Sequence, residues 1–110
     1  MNAIDLLGTW GKLEPDQYKA WVERSQGMDD RAAQAELLQT LLEAIASSES
    51  ARVRLENSSQ GWHATLGKRL PDSNSFQFLV FAKDPDPALA LLTAWVEFLE
   101  KAAIASEVAQ

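Results

Sequence analysis

The chain has 110 residues, 10 Lys and Arg against 16 Asp and Glu, a formal charge of −6 and no cysteine. That length predicts one domain that folds without staples, and the missing thiols exclude disulfides, thiolate catalysis and cysteine zinc sites. The acidic balance argues against nucleic-acid binding by the whole surface; with no signal-like start and no run near the roughly 20 apolar residues of a membrane span, a cytoplasmic protein without membrane attachment is expected.

Residues 1–13 predict a short helical turn or irregular arm. Gly8 and Gly11 bracket Thr9-Trp10 and oppose a long helix. Ile4, Leu7 and Trp10 can dock on the core or on a partner. Residues 14–48 predict a helical hairpin with a two-residue joint. Pro15 opens the first helix through its fixed φ, and Asp16 suits the first turn. Tyr18, Trp21 and Val22 form its apolar side, and Gly27 ends it. Asp29 or Asp30 caps the second helix, where Leu37, Leu38, Leu41, Leu42 and Ile45 share a side.

After Ser47-Ser48-Glu49-Ser50 the apolar period falls from 3.6 to 2. Residues 51–83 predict a three-stranded antiparallel meander. Val53 and Leu55 alternate with Arg52, Arg54 and Glu56. A loop over 57–61 leads to Trp62, Ala64 and Leu66, which alternate with His63 and Thr65. Pro71-Asp72-Ser73-Asn74 supplies turn chemistry. In the last strand Phe76, Phe78 and Val80 should point one way, Leu79 and Phe81 the other. Its polar residues there are only Gln77 and Lys83, so it reads as covered on both sides and central in its sheet.

Asp84-Pro85-Asp86-Pro87 stops the strand, with Asp86 as the cap and Pro87 at the first helical position. The helix predicted over 86–105 carries two apolar rows. Leu89, Leu92, Val96, Leu99 and Ala103 form one; Leu91, Trp95, Phe98, Ala102 and Ala105 form the other. Together they make a stripe that needs a broad sheet, a second helix or another subunit to cover it.

The reading is a single α+β domain of order α-α-β-β-β-α. A three-stranded meander packs against the long C-terminal helix, and the N-terminal helical hairpin covers either the rest of that face or the opposite face around Leu79 and Phe81.

Catalytic chemistry is thin. His63 is the only histidine, and acid–base work would require an orienting partner the sequence does not identify. The acidic pairs Asp84/Asp86 and Asp29/Asp30 sit at helix starts, where capping accounts for them. The chain carries no Gly-rich phosphate loop, nucleophile elbow or EF-hand spacing. No catalytic residue, cofactor site or metal site is assigned.

Charge is more informative. From Arg52 to Lys83 five basic residues oppose two acidic ones, a local +3 that leaves −9 for the rest of the chain. Arg52, Arg54 and His63 on one sheet face, with Leu79 and Phe81, form the expected partner-binding surface. Trp10, Leu91, Trp95 and Phe98 form the expected dimer interface, because surplus apolar area needs a cover.

The segment from Gly61 to Leu66 together with 76–102, GWHATL…FQFLVFAKDPDPALALLTAWVEFLEKA, resembles the strand–strand–helix end of type III secretion chaperones. Those are small, acidic, dimeric proteins that bind extended segments of their clients. The resemblance covers less than half of the chain and implies client binding by a dimer. The same hairpin and helix also resemble small prophage-encoded proteins and HicB-like antitoxins. The expected function is therefore a non-enzymatic protein-binding module of regulator, inhibitor or chaperone type, acting as a homodimer. The alternative is nucleic-acid binding through the basic face of the sheet.

Overall fold

A computed structural model describes residues 2–48, 51–69 and 76–108, without the side chains of residues 69, 76, 78, 79 and 103–108. The elements are α1 (Ala3–Leu13), α2 (Pro15–Arg24), α3 (Asp30–Ala46), β1 (Ala51–Ser58), β2 (Gly61–Arg69), β3 (Phe76–Asp84) and α4 (Pro87–Val108). The α+β class, the antiparallel meander and its packing on the C-terminal helix are as expected. The Pro71–Asn74 turn lies outside the described residues.

The N-terminal arm is a helix, against expectation. Asn2 caps α1 by accepting from the Asp5 amide at 2.9 Å. Leu6 and Trp10, one turn apart, are both buried. Glycine costs about 1 kcal/mol in a helix interior, and burial of an indole exceeds that. Gly11 has a packing reason as well: a Cβ there would lie 3.3 Å from the Tyr18 ring. The glycine lets α2 fold back closely on α1. Trp10, Tyr18 and Trp21 then form a ring cluster with centroids 5.7 to 6.2 Å apart.

The joint between α2 and α3 runs from Ser25 to Asp29, longer than the expected two residues. Gly27 takes φ +80° within it, and Asp29 caps α3 through the Ala32 amide at 2.8 Å. Arg24 ties the two helices. It donates to the Thr40 hydroxyl at 2.9 Å and pairs with Glu36 at 3.3 Å. Thr40 is fully buried and donates onward to the Glu36 carbonyl at 2.8 Å, so its hydroxyl is satisfied.

The strand order is β1-β2-β3, so β2 is central and β3 is an edge strand. The apolar density of β3 suggested a central place. A pairing shift between Leu66 and Gly67 puts Leu66 opposite Val80 but Gly67 opposite Phe78. This shift is a β-bulge in the β2–β3 pairing; the side chains of Phe76 and Phe78, expected to share a face with Val80, lie outside the described residues. The β1–β2 turn is tighter than expected, with Ser58 paired to Gly61 across Ser59-Gln60.

Helix α4 lies on β2 and β3 and also receives α1 and α3. Asp86 accepts from the Ala88 and Leu89 amides at 2.8 and 3.1 Å, and Asp84 accepts from the Asp86 amide at 2.9 Å, fixing the entry. Ala88, Ala90, Leu91, Leu92, Ala94, Trp95, Val96 and Phe98 are all buried. Leu92 and Val96 of one predicted row and Leu91, Trp95 and Phe98 of the other are covered within one chain; Leu89 and Leu99 are half-buried, Ala102 is exposed, and the side chains of Ala103 and Ala105 lie outside the described residues. Of the predicted hairpin, α3 packs on α4 and reaches β1, while α2 packs on α1 and α3; neither covers the sheet face that bears Phe81, which is exposed.

Glu14, at the joint of α1 and α2, locks this arrangement. Its Oε1 accepts from the indole N–H of Trp10 at 3.1 Å and of Trp95 at 2.6 Å. Replacing it by leucine strands two indole donors; we expect a loss of about 3 kcal/mol. Glu14→Gln, which keeps an acceptor, should lose less than half of that in urea unfolding followed by tryptophan fluorescence. Gly61 is the second sensitive point, with φ +114° and a would-be Cβ 3.1 Å from the Asp84 carbonyl oxygen. Gly61→Ala should lower stability by about 2 kcal/mol in the same assay.

Candidate functional site

Strand register defines the outer face of the sheet. Glu56 on β1 pairs with His63 on β2, which pairs with Lys83 on β3. The next row is Arg54, Thr65, Phe81, and Arg52 lies opposite Gly67. No helix covers these rows, because α4 occupies the other face with Ala64, Leu66, Val80 and Ala82.

Phe81 is the feature of this surface. It is 60 % exposed, although a phenylalanine in a strand is normally packed. The His63 ring lies against it, centroids 5.6 Å apart and tilted by 37°. Around the two rings stand Arg52, Arg54 and Lys83, all exposed. Lys83 donates to the Gln60 amide oxygen at 2.9 Å. Arg54 pairs with Glu56 at 2.8 Å, both well exposed. Such a pair contributes about 0 to 1 kcal/mol, so the guanidinium can exchange its partner at small loss.

Of the five residues expected to bind a partner, Arg52, Arg54, His63 and Phe81 share this face. The side chain of Leu79 lies outside the described residues. The four expected to form a dimer interface are elsewhere. Trp10 and Leu91 are 0 % exposed, Trp95 2 % and Phe98 7 %. Trp10 and Trp95 bond the Glu14 carboxylate, and Trp95 stacks on Phe98 at 5.5 Å. They belong to the protomer's own core and present no surface to a second copy. Thr65 and Gln60 were not singled out from sequence, although Thr65 alternates in phase with His63 and signals the same face.

His63 Nε2 lies 2.8 Å from the Ser58 hydroxyl oxygen. A hydroxyl beside an imidazole suggests nucleophile and base, but the surroundings fit turn chemistry. The Ser58 oxygen also accepts from the Gln60 amide at 3.2 Å, closing the hairpin. The Glu56 carboxylate, the register neighbour of His63, is turned to Arg54. The pair stands on an open sheet and not in a cleft. Among the described residues no three His, Asp or Glu side chains converge on a metal position. Two grooves among the described residues, one lined by α3 and the start of α4 and one by α1, α2, α3 and Leu89, measure about 190 and 230 Å³, below the roughly 300 Å³ at which small-molecule sites begin. No described helix is long and apolar enough to cross a membrane.

No protein-family model, curated protein or solved structure matches the chain. The likeness to secretion chaperones, prophage proteins and antitoxins thus rests on the hairpin and helix alone.

If Phe81 serves the surface and not the core, its removal is tolerated. Phe81→Ala should change unfolding free energy by no more than about 0.5 kcal/mol. Leu66→Ala, on the opposite face of the same sheet, should lose about 2 to 5 kcal/mol. Paired urea titrations check both.

Proposed function

We propose that the chain is a non-enzymatic binding module whose working surface is the open face of the sheet and whose partner is another protein. The observation that carries this reading is Phe81, an exposed ring in the β3 row with Arg54 and Thr65. Aromatic and Arg side chains are the residue types that concentrate binding energy in protein interfaces. Paired strands fix the backbone beneath them, so docking orders side chains but little main chain.

Nucleic acid is the second reading, and the His63–Phe81 ring pair favours it, since bases stack on exposed rings of open sheets. Charge weighs against it. Among the described residues the cations of this face are Arg52, Arg54 and Lys83, which neutralise few phosphates, while the chain as a whole carries −6.

The test uses immobilised wild-type chain, Phe81→Asp and Arg52→Glu/Arg54→Glu, each checked for unchanged circular dichroism and melting. A protein retained by wild type and lost from both variants, then titrated in purified form, is the expected result. Retention equal across all three removes the sheet face from consideration. Retention of RNA or DNA alone, weakening steeply with salt, selects the second reading.

A further inference from the structure

We infer that the segment recognised by this face is extended and acidic, with one apolar side chain seated on Phe81 and carboxylates over Arg54, Arg52 and Lys83. The inference rests on the protein-binding reading and specifies its partner.

Charge complementarity is the first argument. Among the described residues the outer face presents Arg52, Arg54 and Lys83, with Glu56 the carboxylate of its rows. An isologous dimer through this face would set like charges against each other, because a two-fold axis brings the same patch to both sides. An acidic partner meets no such opposition. It can displace Glu56 from Arg54, an exposed exchange of one carboxylate for another.

Geometry is the second. Arg54 and Phe81 lie in one cross-strand row, separated by the β2 residue Thr65. Two strand spacings make this about 10 Å. An extended chain advances about 3.3 Å per residue. Its side chains alternate, so a glutamate two or four residues from the apolar anchor, about 7 or 13 Å along, faces the sheet with it, and the flexible glutamate and Arg54 side chains span the difference when the anchor sits on Phe81. Thr65 between them is small enough to let backbone pass, and it offers a hydroxyl.

The grooves between helices carry no comparable argument, since nothing in them specifies an occupant. The Ser58–His63 pair is spent on the turn.

The experiment is a titration of the full chain with synthetic ten-residue peptides, read by fluorescence anisotropy and by amide shifts in nitrogen–proton NMR. One peptide places a leucine among glutamates, one among lysines and one among serines; a fourth is glutamate and serine without leucine. Expected is binding of the acidic leucine peptide with shifts at His63, Thr65 and Phe81. Phe81→Ala should weaken it by about tenfold or more. Arg52→Glu/Arg54→Glu should abolish it and gain affinity for the lysine peptide. Equal binding of the lysine or serine peptide at the same amides overturns the acidic preference while leaving a protein-binding face. No shift at these amides with any peptide overturns the inference, and the immobilised-chain test then judges the face separately. Binding of a single-stranded oligonucleotide in place of every peptide overturns both. Self-association that Phe81→Ala weakens overturns it in favour of a second copy.

Discussion

Trp10 and Trp95 donate to the same carboxylate oxygen, although Glu14 and Trp95 are 81 positions apart. Most of the architecture depends on that convergence. A half-buried carboxylate needs donors, and a buried indole N–H needs an acceptor. Each indole alone would leave one of these requirements weakly met. Together they fix the end of α1 and the start of α2 over the middle of α4, and hold the helical layer in one position. The ring cluster of Trp10, Tyr18 and Trp21 extends the contact, and the Trp21 N–H donates to the Ala33 carbonyl at 3.0 Å on α3.

Once the helical layer is held there, α4 is covered on both sides, and the outer face of the sheet has no remaining helix to cover it. The domain is thus three layers with α4 in the middle and a free sheet outside. An antiparallel sheet tolerates this, since one face can meet water. Arg52, Arg54, Glu56 and Lys83 suit that exposure. Phe81 does not, and its exposure is the observation on which the proposed binding surface rests.

Much of the fold is legible in the sequence because local signals agree. Asp86-Pro87 starts a helix, Asp29 caps one, and β1 alternates cleanly. Three features are not legible, each for a physical reason. Glycines at 8 and 11 oppose a helix locally, and tertiary burial of Trp10 overrides them. The edge position of β3 is hidden because the strand's composition resembles a buried one, and a bulge shifts its pairing at a point no residue type marks. The wide stripe of α4 fits a dimer and a second intramolecular layer equally well; only the distant Glu14 decides between them. For the candidate site, strand alternation places Arg52, Arg54 and His63 together, whereas the openness of Phe81 depends on where the hairpin lands.

That an acidic chain recognises an acidic segment, as proposed, is contradictory only if the charges are summed. The helices α1 to α3 and their joints hold eight of the sixteen carboxylates, and they pack chiefly on α4, on the far side of the sheet from the outer face, with α3 also reaching β1. Each layer adds about 10 Å. At physiological ionic strength the Debye length is about 8 Å, so a ligand on the outer face interacts chiefly with Arg52, Arg54, Lys83 and Glu56. The helical carboxylates act at longer range and oppose approach to other sides of the molecule. The charge segregation visible along the sequence thereby becomes a spatial one, with one cationic, ring-bearing face on an otherwise anionic body. Under the proposed reading, such a distribution would orient an acidic partner toward the sheet before contact and oppose its adhesion elsewhere.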